Sequence, residues 1–321
     1  MSSKRKLLSL LNEYVTRISR LSFITKDGDA SIVENTYICP LCLQSFKVDD
    51  LGDTITDYLS LEDIPQKAMG GHPLLLTCKK CNNRCGHEID HYLQTEIDDE
   101  DEISIHSENG ILGLLTTDEF KINTHIRKED DGTITFDIQS GQNNPIELEK
   151  FKEKVVTLGD DWRKEIKAYQ LTGNRHNPIK ADIAIFKSAY LLAFYVLGYK
   201  YILNSKLSSV REQILSPDKE IISDYIINRG SGLPLEISDG VYVAEFRKKR
   251  FLAVIISIRM KDADKMHRYV VALPYIGADN NIYNEMKEED NFARDFTLLG
   301  FAKIKDWEVK PFPQQGRRYL V

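Results

Sequence analysis

Two cysteine pairs, Cys39-Pro40-Leu41-Cys42 and Cys78-Lys79-Lys80-Cys81, carry the clearest chemistry in this chain. Each has a two-residue gap, which lets both sulfurs of a tight turn face one ion. Four thiolates complete a tetrahedral Zn2+ shell and leave no open position, so such an ion folds the chain and does no chemistry. Cys39, Cys42, Cys78 and Cys81 are therefore expected to bind a structural zinc; the alternative is two unrelated reduced pairs. Cys85 is left over. Four residues after Cys81, it can exchange with it as a ligand or pack as a free thiol.

Between the pairs runs Leu59-Ser-Leu-Glu-Asp-Ile-Pro-Gln-Lys-Ala-Met-Gly-Gly71, an apolar stretch that ends in adjacent carboxylates, Glu62 and Asp63. Gly70-Gly71 read as a tight loop with positive φ, open enough for a phosphate to approach the backbone. Asn82 and Asn83 follow the second pair. His87 and His91 lie four apart and can share a helix face. Lys67, Lys79, Lys80 and Arg84 are the basic residues of this segment; they form either a phosphate-contacting face or a solvated one.

The surrounding elements follow from periodicity. Residues 4–21 read as an amphipathic helix, with Leu7, Leu10, Leu11, Tyr14, Ile18 and Leu21 at helical spacing and Lys4, Arg5, Lys6, Arg17 and Arg20 making it basic. The acidic run 98–102 reads as a solvated linker. Residues 111–115, 120–126 and 133–138 form an expected antiparallel meander, and 145–157 a helix. Residues 182–203 give the strongest helix, which Gly198 ends or bends. Shorter helices are expected at 210–215 and 220–227, and strands at 241–246, 251–258 and 268–273. The expected class is α+β, a zinc module followed by a mixed domain with a central helix and antiparallel strands. By this reading 1–30 is the basic helix, 31–97 the zinc module, 98–145 the acidic linker and meander, and 146–321 the C-terminal domain.

The order C-x2-C, apolar strand with an acidic end, Pro, Gly-Gly and C-x2-C-Asn resembles the zinc-stapled HNH endonucleases, specifically over about residues 37–93. A weaker similarity runs through 186–203 and 210–214. The resemblance implies a treble-clef ββα-metal module. It also implies hydrolysis of a DNA phosphodiester with one divalent ion, Mg2+ or Mn2+. The ion would neutralise charge on the phosphate and on the leaving oxygen. Carried over by position, Glu62 and Asn82 become ligands of the catalytic ion and Asp63 takes the general-base position. The family usually has histidine there, and a carboxylate of pKa near ~4 is a weaker base than an imidazole near ~6.5. Three readings stay open. Asp63 acts as base with a pKa raised by burial; or Glu62 and Asp63 hold the ion while His72 activates water; or the site is inert and the module only binds.

With 321 residues, 42% of them hydrophobic, the chain can bury a substantial core. Its net charge of −6 excludes a generally basic coat but allows a local cationic face. Five cysteines, four of them in knuckles, suit a reducing compartment. Residues 2–6 are not followed by the apolar core of a leader. The longest apolar run, 190–199, is about half of the ~20 residues a membrane span needs. The expectation is a soluble cytoplasmic protein with DNA as partner and no membrane contact. The residues leave open a protein partner or a homo-oligomer. They equally leave open a silent zinc module that binds nucleic acid or protein, or a nuclease subunit switched on by a larger partner such as an ATPase. Host defence or a mobile element is the setting the resemblance implies.

Overall fold

The computed structural model describes residues 3–19, 22–24, 30–32, 34–101, 103–171, 177–229, 237–261, 263, 265–277, 281–288, 297–302, 310–311 and 317–318. They form a mixed α+β structure built on small antiparallel sheets. Contacts divide the chain into two compact units. One joins residues 1–94 to 178–321; the other is 95–177. The sequence division at 30, 97 and 145 ran by order along the chain, whereas the first unit brings its two ends together.

In the first unit, helix α1 (Ser3–Ser19) buries Leu7, Leu11, Tyr14 and Ile18 along one side. This matches the predicted stripe; Arg20 and Leu21 lie outside the described residues. Strands β1 (Thr36–Ile38) and β2 (Ser45–Lys47) form a hairpin that carries the first cysteine pair in its turn. Strands β3 (Leu59–Ile64) and β4 (His72–Cys78) form a second hairpin. Its connection needs both glycines, for different reasons. Gly70 has φ +82, and a Cβ on Gly71 would stand 1.5 Å from the Pro65 carbonyl oxygen. Helix α2 (Lys79–Cys85) follows without a break, and a π-helical turn, Gly86–Asp90, succeeds it.

In the 95–177 unit, strands β5 (Ile111–Thr116), β6 (Lys121–Lys128) and β7 (Ile134–Asp137) make the expected meander. Helix α3 (Pro145–Leu158) starts where Asn144 accepts the Ile146 N–H and proline fills the first turn. Strand β8 (Ala168–Leu171), which has no pattern of its own, adds to β5. Leu115, Ile122, Leu148 and Phe151 make the core. The run at 98–102 is not the expected linker. Asp98 to Glu100 close a helix, His91–Glu100; Glu102 lies outside the described residues.

The chain then returns to the first unit through α4 (Pro178–Leu197), whose side chains are buried almost throughout. Gly198 stops it with φ +71, as anticipated, and a short turn of helix, Tyr199–Ile202, continues. Strands β9 (Ile226–Arg229), β10 (Gly240–Phe246), β11 (Lys249–Ile258), β12 (His267–Pro274) and β13 (Thr297–Ala302) form an antiparallel sheet in the order β9-β12-β11-β10-β13. Helix α4 packs against β10, β11 and β12. The helix expected at 220–227 is absent. Gln213 explains this: its Oε1 accepts the N–H groups of Ile221 and Ile222, and its Nε2 donates to Lys219 O. With those amides taken by a side chain, the segment runs on into β9. Among the described residues no helix is long and apolar enough to cross a membrane.

Candidate functional site

The sulfurs of Cys39, Cys42, Cys78 and Cys81 all lie within 4.8 Å of one another. A tetrahedron of Zn–S bonds of ~2.3 Å has edges of about 3.8 Å, and Cys42 Sγ stands 3.7 Å from Cys78 Sγ. The Cys78 N–H donates to Cys39 Sγ and the Cys81 N–H to Cys78 Sγ, at 3.3 and 3.4 Å. Such amides stabilise thiolates. The four thiols divide: contact with Cys39 lowers Cys42 far below its usual range and brings Cys78 down to about 7, whereas their sulfur neighbours raise Cys39 and Cys81. The donor set and spacing fit a metal ion such as zinc. Cys85 is not in the group; it is buried, and burial pushes its thiol up to about 12. His87 and His91 are both exposed.

Tyrosines from the returning chain set the first knuckle. Tyr190 donates to Pro40 O at 2.7 Å, and Tyr199 donates to Ile38 O at 3.0 Å and accepts the Ile38 N–H at 3.1 Å. Tyr37 donates to Leu76 O, tying one hairpin to the other. Tyr14, Tyr37, Phe194 and Tyr199 pack ring against ring. The cysteine turn is thus built by α1, β1 and α4 together.

Glu62 and Asn82 do meet. Asn82 Nδ2 donates to Glu62 Oε2 at 3.0 Å, and Thr77 Oγ1 donates to the same oxygen at 2.8 Å. The other oxygen is also engaged: Lys187 Nζ on α4 donates to Glu62 Oε1 at 2.9 Å and to Asp90 Oδ2 at 2.7 Å. The side chains are closed to water, Lys187 being 2% exposed, Glu62 5% and Asp90 10%. Burial works against the ammonium, but Asp90 and Glu62 more than offset it and hold its proton well above the usual lysine range. Asp90 ends the π-helical turn and is buried there.

A divalent ion here would compete with bonds already made and with the ammonium: Glu62 Oε1 accepts from Lys187, and Oε2 from Thr77 and Asn82. An ion about 2.1 Å from Glu62 Oε1 would stand no more than about 5 Å from Lys187 Nζ. Even at an effective dielectric near 20, that repulsion is about 7 kcal/mol. The expected ligand pair is therefore close in space but already satisfied by a tethered cation.

Asp63 and His72 are elsewhere in kind. The register between β3 and β4 shifts between Glu62 and Asp63, and the two carboxylates have separate surroundings. Asp63 is half-buried; burial raises its pKa, while Lys67, Lys6 and His72 pull the other way. His72 is exposed and pairs with Ile64 across the hairpin. Among the described residues no side-chain hydrogen bond or ion pair joins Asp63 or His72 to Glu62 or Asn82.

Lys187 and Asp90 were missed by sequence reasoning. Lys187 did leave a signal, since it is the one charge between Asp182 and Lys200 in an otherwise apolar helix. A lysine so placed is almost never fully buried unless paired. Asp90 left none. Compared with known proteins, the chain matches no family model, no curated protein and no solved structure.

Proposed function

We propose that this chain is a zinc-stapled binding module of HNH-nuclease type that holds nucleic acid without cutting it. The observation that carries this reading is the buried Lys187 ammonium bonded to Glu62 and Asp90. It supplies a positive charge where metal-assisted hydrolysis would need an exchangeable ion reachable by a phosphate. The sulfur cluster supports zinc as the staple. Cys39, Cys42, Cys78 and Cys81 would hold it, and its contribution is to fix the two hairpins and α2 as one piece.

A mobility-shift assay with duplex DNA, Mg2+ and Mn2+, followed by a denaturing gel of the same samples, tests this reading. The expected result is a shifted, intact duplex. Cleavage that Glu62→Ala, Asp63→Ala and Asn82→Ala each remove would establish the second reading, an HNH endonuclease. One observation favours that alternative: the Asn82 amide touches the Glu62 carboxylate, so the pair would offer an ion two oxygens once the amide turned to present Oδ1.

A further inference from the structure

The chain is acidic overall, yet basic residues gather around Asp63. Three elements distant in sequence contribute them: Lys6 from α1, Lys67 from the connection after β3, and His72 from the start of β4. All three lie near enough to act on Asp63, and α1 packs against both strands of this hairpin. Lys67 and His72 are exposed and Lys6 is half-exposed. Among the described residues neither lysine is engaged in an ion pair, whereas Lys4, two residues from Lys6, is paired with Asp53 at 3.7 Å. Two unpaired lysines of one sign beside an exposed imidazole suit a row of phosphates, because each neutralised phosphate releases condensed counterions. Asp63 opposes them with one fixed negative charge. The connection itself is rigid: Met69 and Gly71 both donate to Gln66 O, and Arg259 N donates to Met69 O at 3.3 Å. Lys67 is therefore displayed from a fixed loop and loses less freedom on binding than a mobile one would.

We infer that Lys6, Lys67 and His72 form the face that contacts the phosphate backbone of duplex DNA, with Asp63 as a built-in counter-charge that restrains affinity. This rests on the binding reading above. It gives Asp63 a role opposite to that of a catalytic base, because its removal should help the protein's activity, which is binding.

The test is fluorescence anisotropy of a labelled 20-base-pair duplex titrated with zinc-loaded full-length protein at several salt concentrations. Zinc content and circular dichroism are checked for every variant. Lys6→Gln and Lys67→Gln should each weaken binding about tenfold at 0.1 M salt and reduce the slope of log K against log salt by about 0.9. Asp63→Asn should tighten binding several-fold. Lys164→Gln, an exposed lysine of the other unit paired with Asp161, should change nothing. Binding that both lysine variants retain with an unchanged slope, or that Asp63→Asn weakens, overturns the assignment of this face and leaves the binding reading standing. No binding by the unmodified protein removes both. Anionic phosphatidylserine vesicles replace the duplex in a parallel arm, and capture of vesicles without capture of DNA also overturns it.

Discussion

At the scale of single residues, the decisive group is Lys187. Two carboxylates share its ammonium, and Asp90 Oδ1 has no hydrogen-bond partner among the described residues. A buried ion pair of this kind is weak evidence for net stability, but removing one partner leaves buried charge uncompensated. Lys187→Met is therefore expected to cost about 3–5 kcal/mol in denaturant unfolding, and pairing it with Glu62→Gln should restore part of the loss. A fully stable Lys187→Met protein would show that the network is not closed as described. Cys85 gives a second expectation. Its folded thiol, near 12, keeps a proton that the unfolded chain releases near 9. The stability this contributes is whole below about pH 9 and fades as pH rises toward 12. Native protein should resist iodoacetamide at Cys85 at pH 8, and ready labelling there would contradict the burial. The cysteine ligands were legible because their chemistry lies in local spacing. The satisfaction of Glu62 was not, since its partner stands 125 residues away.

Elements show where local pattern suffices and where it fails. The meander, α3 and the stop at Gly198 follow from alternation, capping and glycine, all of which act within a few residues. The segment at 220–227 has a helical pattern, and a single side chain, Gln213, diverts it. Gln213→Ala should lose those three bonds and destabilise the approach to β9 by about 1–3 kcal/mol, from the amides left unpaired in a partly buried site. A loss within a few tenths would mean that water replaces Gln213 there. Tyr190 on α4 and Tyr199 in the turn after Gly198 act at the same scale, for they tie the returning chain to the cysteine turn. Tyr190→Phe and Tyr199→Phe are expected to weaken zinc retention in competition with a chromophoric chelator, each leaving a buried carbonyl without its donor. Unchanged retention would show that the turn is set by the metal alone.

Over the whole molecule, the first unit is assembled from both ends of the chain. Order along the sequence could not reveal this, because α4 reads simply as an apolar helix until its tyrosines and its lysine are seen to have partners in the hairpins. Stripping zinc should accordingly loosen more than the knuckles. Hydrogen exchange is expected to rise in β1 to β4, in α2 and along α4, while the 95–177 unit with its own core keeps its protection. The claim on which the functional reading turns is that the pocket of Glu62 and Asn82 already contains its cation. Mn2+ titration of the zinc-loaded protein, followed by the electron paramagnetic resonance of the free ion, addresses it directly. The free signal should grow in proportion to the Mn2+ added, as in protein-free buffer. Tight uptake of one ion per chain, abolished by Glu62→Gln, would mean that Lys187 gives way to metal and that the chain is built to cut.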